Sequence, residues 1–117
     1  MLRNLTPHPI TFVNEQGNVL AELPVEEGTA IPRCTTSNIC KGSYPVTAEY
    51  EVPVTRSMFG VVLDLPAEKS DVVLIVSRMV AEASSNRADL LFPNQLVRDE
   101  TGRIIGCLSL GYTHITF

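Results

Sequence analysis

The apolar and polar positions of this chain alternate or cluster in ways that predict mostly strands. Ile10 to Val13 is a short apolar run. Val19 to Leu23 follows it, with Val19, Ala21 and Leu23 on one face. Between them, Asn14-Glu15-Gln16-Gly17 predicts a turn. Asparagine suits its first position and glycine its last, where a left-handed backbone is needed. Val46 to Val52 alternates: Val46, Ala48, Tyr50 and Val52 point one way, and Thr47, Glu49 and Glu51 the other. That is the pattern of a half-solvated antiparallel strand. Phe59 to Leu63 predicts another strand, and the wholly apolar Val72 to Val76 predicts a central one.

Ser77 is placed to cap a helix running from Arg78 to about Ser85. Arg78 and Glu82 fall at i,i+4 on its outer face, with Met79, Val80 and Ala83 on its inner face. A helix this short must pack on a sheet to persist. Two polar clusters follow, Asn86-Arg87-Ala88-Asp89 and Phe92-Pro93-Asn94, and then a closing hairpin with Arg98 and Arg103 on its arms. That hairpin echoes the first: Asn14-Glu15-Gln16-Gly17-Asn18-Val19-Leu20 parallels Asp99-Glu100-Thr101-Gly102-Arg103-Ile104-Ile105. Shared turn chemistry accounts for the echo without duplication. Leu5 to Pro9 starts extended, because the residue before a proline is pushed toward β geometry. Val25 to Ser43 is ambiguous. Ala30-Ile31-Pro32-Arg33 suits a short strand blunted by proline, and the polar, glycine-bearing Asn38 to Ser43 is expected to be loop. Leu65 to Ser70 is expected to be a surface connection. The fold class expected is α+β: β-rich, with a mainly antiparallel sheet and one short helix near the C-terminal third.

Length and composition narrow the classes. The 117 residues fit a single domain. With 44% hydrophobic and 19% charged residues the chain can build a core and is not disordered. A net charge of −4, with no basic stripe, argues against a duplex nucleic-acid partner. From Val72 onward four acids (Glu82, Asp89, Asp99, Glu100) balance four arginines (Arg78, Arg87, Arg98, Arg103), so a local pocket for a small anion stays open. No apolar run reaches the ~20 residues of a membrane helix. Cys34, Cys40 and Cys107 form an odd set, which suits free thiols in a reducing cytoplasm. Their spacing, with His8 and His114, matches no usual zinc pattern, so no metal is expected. There is no GxSxG elbow, Cys-His signature or phosphate-cradling glycine loop. Neither enzymatic activity nor a cofactor is expected.

The remaining chemistry lies in arginines. Their planar forks of donors match phosphates and carboxylates and stack on flat rings. Candidate ligand-binding residues are Arg56, Asn86, Arg87, Asn94, Arg98 and Arg103. The structural alternative is a loop from Asn86 to Asn94 held by its own hydrogen bonds, with Arg87 and Asp89 a local ion pair. Arg98 and Arg103 could likewise pair with Asp99 or Glu100 on a solvated hairpin.

Three patches carry a resemblance: Asn4-Leu5-Thr6-Pro7-His8-Pro9, Ile75-Val76-Ser77 through Ala83, and Leu96-Val97-Arg98-Asp99-Glu100 with Gly102-Arg103-Ile104-Ile105-Gly106. They look like small proteins of phages and prophages. In length and layout the chain is similar to the Thoeris anti-defence sponges. The resemblance implies a homo-oligomer that sequesters a cyclic ADP-ribose isomer without cleaving it, inhibiting bacterial anti-phage defence. Some relatives also hold cyclic oligonucleotides. It implies pockets between protomers lined by arginines, an asparagine and a ring contact, for which Arg56, Asn86, Arg103 and Arg98 are the candidates here. Phe59, Phe92 and Tyr112 are the available rings. The alternative is a structural or accessory phage protein that self-assembles without a small ligand.

Overall fold

The computed structural model describes residues 1–114. In chain order the elements are β1 (Leu2–Asn4), β2 (Ile10–Val13), β3 (Val19–Leu23), β4 (Arg33–Thr47), β5 (Tyr50–Leu63), β6 (Val73–Ile75), α1 (Arg78–Ala83), β7 (Leu90–Arg98) and β8 (Ile104–Gly111). Six strands form one sheet in the order β1-β6-β7-β8-β2-β3, and β4 pairs only with β5.

The fold is β-rich with one short helix, as the pattern predicts. The main sheet is mixed, however. β1 runs parallel to β6, β6 to β7 and β8 to β2, while β7–β8 and β2–β3 are antiparallel. Parallel neighbours need a crossover, and α1 supplies it between β6 and β7. β6 lies inside the sheet, which explains its apolar run: Leu74 and Ile75 are buried. Leu74 joins Leu5, Val76, Val80, Leu90 and Phe92 in one cluster, and Ile75 meets Ile10 and Cys107 in another.

The helix forms where expected. Ser77 has an extended backbone, and its hydroxyl accepts a hydrogen bond from Val80 N. Arg78 reaches Glu82 at 2.9 Å and lies 5.2 Å over the Phe92 ring. Val80 and Ala81 point inward, whereas Met79, expected on the inner face, is exposed. Thr113 Oγ1 donates to the Ala81 carbonyl, and His114 Nδ1 lies 2.8 Å from the Ser85 carbonyl, so these two residues pack against the helix end.

Asn4 is a buried staple that the sequence pattern does not advertise. Its Nδ2 donates to the His8 and Leu23 carbonyls, and its Oδ1 accepts from the Thr6 N–H and hydroxyl. Every polar atom of the side chain is engaged, and the link from Asn4 to Pro9 is fixed by it. The two short hairpin turns share one chemistry, as their sequence echo predicts. Asn14 Oδ1 accepts from Gln16 N and Asn18 N, and Asp99 Oδ1 accepts from Thr101 N and Arg103 N. Gly17 and Gly102 take φ of 84° and 88°, the left-handed region where a side chain is strained.

The largest departure from expectation is β4–β5. Asn38 to Ser43 is strand rather than loop, and Val46 to Val52 is not one strand. Ala48 and Glu49 form the hairpin turn inside it. The alternation does not carry through the turn: Thr47 pairs with Tyr50 and so shares its face, and Val46 is an extra residue that shifts the register. Cross-strand pairs run from Arg33–Leu63 at the base to Thr47–Tyr50 at the tip. The base packs on the core through Cys34 and Val62, and the rest projects as an arm. The Cα radius of gyration is 17.8 Å. A compact chain of this length would have about 13 Å.

Candidate functional site

A groove of about 510 Å³ lies across β2, β7 and β8. Pro9, Ile10, Pro93, Leu96 and Ile105 make its apolar walls, and Cys107 lies in its buried floor. Thr6 follows β1 and Ser77 follows β6, so two parallel strands deliver polar groups to the groove from their carboxyl ends. That is where open sheets with parallel strands tend to hold ligands. The volume falls in the range of roughly 300–1,000 Å³ typical of small-molecule sites. Gly106 makes the groove possible, since a Cβ there would come within 2.7 Å of the Thr11 carbonyl oxygen. Close approach of β8 to β2 demands glycine at that point.

The groove's polar groups are largely spoken for. The Thr6 hydroxyl lies 2.6 Å from Asn4 Oδ1 and 2.9 Å from the His8 carbonyl. Ser77 Oγ is held by the helix it caps. Ser77 and His8 line the same groove, but among the described residues no hydrogen bond joins them into a nucleophile–base pair. Burial pushes the Cys107 thiol above its ordinary range, which disfavours the thiolate. Among the described residues, no lysine, arginine or carboxylate lines the groove. It suits an apolar or ring-shaped group, and it offers a phosphate no arginine or lysine.

The six residues expected to bind a ligand are dispersed. Arg56 is on β5, out on the arm. Asn86 and Arg87 lie in the link from α1 to β7. Arg87 is a structural tie: its Nε and Nη2 grip both Asp89 oxygens at 2.8 Å, and Nη2 also reaches the Pro66 carbonyl at 2.9 Å. The hydrogen bond to Asp89 holds the Arg87 pKa above its ordinary value, partly offset by burial. Arg87 and Asp89 are therefore the local ion pair of the structural alternative. Asn94 lies within β7, opposite Ser109. Arg98 donates to the Gly102 carbonyl at 2.8 Å, and Arg103 is exposed beside it. Neither forms an ion pair with Asp99 or Glu100. A second, shallower hollow lies between the two short hairpin turns. It is lined by Arg98 but also by Glu15, Asp99 and Glu100, which makes it acidic and unsuited to an anion.

The arm presents a different kind of surface. Directly paired residues share a face of a ribbon. Tyr50, Val52, Val54, Arg56 and Met58 therefore lie together, joined from β4 by Tyr44 and Ile39. Glu51, Pro53, Thr55 and Ser57 face the other way, with Ser43, Cys40 and Asn38. The arm is thus amphipathic, and its apolar face is uncovered: Tyr44 is 70% exposed, and Tyr50 and Ile39 are each 54% exposed. The signal was present in the period-two pattern from Tyr50 to Met58, but Pro53 interrupts its polar face and obscures it.

Among the described residues, no group of three or more His, Cys, Asp or Glu side chains could hold a metal ion, and no helix is long and apolar enough to cross a membrane. Compared with protein-family models, curated proteins and solved structures, the chain matches none.

Proposed function

We propose that this is a non-catalytic, self-assembling protein whose arm is its docking element. One observation carries the reading: a projecting two-stranded ribbon with one apolar face that none of the described residues covers. An isolated hairpin is only marginally stable in water. The largest apolar patch on a monomer is typically roughly 300–600 Å² and often functional. The arm concentrates its exposed tyrosines and aliphatics into such a patch on a single projecting element. Sedimentation and light scattering over a wide concentration range test the proposal. A species heavier than the 12.8 kDa chain is expected, reverting to monomer when Tyr44 and Tyr50 are replaced by serine. A wild type that stays monomeric at high concentration overturns it.

The groove supports a second reading, capture of a small ring-bearing ligand, in line with the resemblance to cyclic-nucleotide sponges. Its described lining holds no lysine or arginine, so the ring would enter the groove and the phosphates would need arginines from elsewhere in an assembly. Incubation with extract from cells with activated TIR-domain enzymes, followed by heat release and mass spectrometry, tests this. Intact cyclic nucleotide supports capture, and an empty supernatant refutes it.

A further inference from the structure

Resting on the self-assembly reading, we infer that the arm's partner is the arm of a second copy. The two apolar faces pack antiparallel, tip to middle, so that Arg56 of each chain meets Glu49 of the other.

The mode of contact follows from what the arm offers. Edge-to-edge extension is blocked on both strands. Pro45 lies on β4 and Pro53 on β5, and β4 carries extra residues at Lys41 and Val46 that disturb its register. That leaves the faces, and only one of them is apolar. The overlap from Tyr50 at the tip to Arg56 takes six residue steps along β5, about 20 Å at strand rise. Within it Tyr44, Tyr50, Val54 and Ile39 are 70%, 54%, 44% and 54% exposed. With aromatic side chains burying 150–250 Å² when fully covered, these four contribute roughly 400 Å², and with Thr47, Val52 and Arg56 on the same face the patch comes to about 500 Å² per chain. Two such patches give about 1,000 Å², the size of a weak, concentration-dependent interface.

Charge sets the register. Arg56 is the one cation on the apolar face, and among the described residues its side chain has neither an ion pair nor a hydrogen bond. Burying it against another chain requires an anion. Glu49 stands at the arm's turn, and its carboxylate is likewise without a partner. Antiparallel overlap places the tip of each arm over the middle of the other. Both Arg56–Glu49 contacts then form together, as a two-fold axis demands. Parallel overlap would instead set Arg56 against Arg56.

Charge reversal tests the register with the full chain. Arg56→Glu and Glu49→Arg should each weaken self-association at least about 30-fold, since two ion pairs become two like-charge encounters. Both residues are exposed, so circular dichroism and melting temperature of the isolated chains should not change. An equimolar mixture of the two variants should restore wild-type association, because in the mixed pair each reversed residue meets its reversed or native complement. The inference is overturned if wild type associates but the single variants associate equally well, or if the mixture stays monomeric. Failure of wild type to associate at all refutes the self-assembly reading itself.

Discussion

Replacing Asn4 by alanine should destabilise the fold far more than its place at a strand end suggests. Asn4 is 1% exposed and makes all the hydrogen bonds its side chain can direct into the β1–β2 link. In Asn4→Ala, the Thr6 hydroxyl can turn wholly to the His8 carbonyl, 2.9 Å away, so that acceptor stays satisfied. The Thr6 N–H and the Leu23 carbonyl lose their partners. A buried orphan costs about 1–3 kcal/mol, and the half-buried Leu23 carbonyl falls at the low end. Adding the void left by the side chain, the loss comes to about 3 kcal/mol. At a chain of this size that lowers the melting temperature by about 12 °C. Urea titration should show the midpoint falling with an unchanged slope. Asn4→Asp is the sharper variant. It keeps an acceptor for Thr6 but sets a carboxylate against the His8 and Leu23 carbonyls, where only its protonated form can donate. Its folded pKa is therefore raised, and its stability deficit should grow as pH rises through that value. A loss below about 1 kcal/mol in Asn4→Ala would refute the hydrogen-bond accounting.

Arg87→Ala should cost about 3 kcal/mol, because it strands the buried Asp89 carboxylate; chemical denaturation measures it. Arg56→Ala and Arg103→Ala should each change stability by less than about 0.5 kcal/mol, since both side chains are exposed and untied within one chain. The Thr101 hydroxyl and the Arg103 N–H hold the Asp99 carboxyl below the ordinary aspartate range. A depressed folded pKa means the stabilisation is present above the unfolded value and lost as acid titrates the folded group. Carbon NMR should therefore find Asp99 titrating lower than a free aspartate, and Asp99→Asn should flatten the acid limb of the stability curve. Thiol labelling of the native protein should modify the exposed Cys40 and spare Cys107 until denaturant is added; native-state labelling of Cys107 would contradict its burial.

If the arms pair as inferred, Arg56 belongs to a protein interface rather than to a nucleotide pocket. The two are experimentally separable. A nucleotide contact should tolerate Glu49→Arg, whereas an interface contact should not.

Local chemistry was legible in the residues themselves. Ser77 as a cap, the Arg78–Glu82 pair and the twin turns at Asn14 and Asp99 involve neighbours within four positions, so spacing alone specifies them. The buried strand at β6 followed from its unbroken apolar run. The tertiary structure decided what depends on distant partners. The Arg87–Asp89 pair, two positions apart, was offered by spacing, but the bond from Arg87 to Pro66, 21 residues away, came only with the fold. Asn4 became a buried staple because β3 brought it the Leu23 carbonyl. The groove exists only because β8 closes on β2, leaving the arginines outside it. The arm hid behind Pro53 and a polar stretch at Asn38 to Ser43, since one ribbon face is meant for water and reads as loop. Alternation reports which residues share a face. Only the assembled fold reports whether anything covers that face, and here a single chain leaves it open.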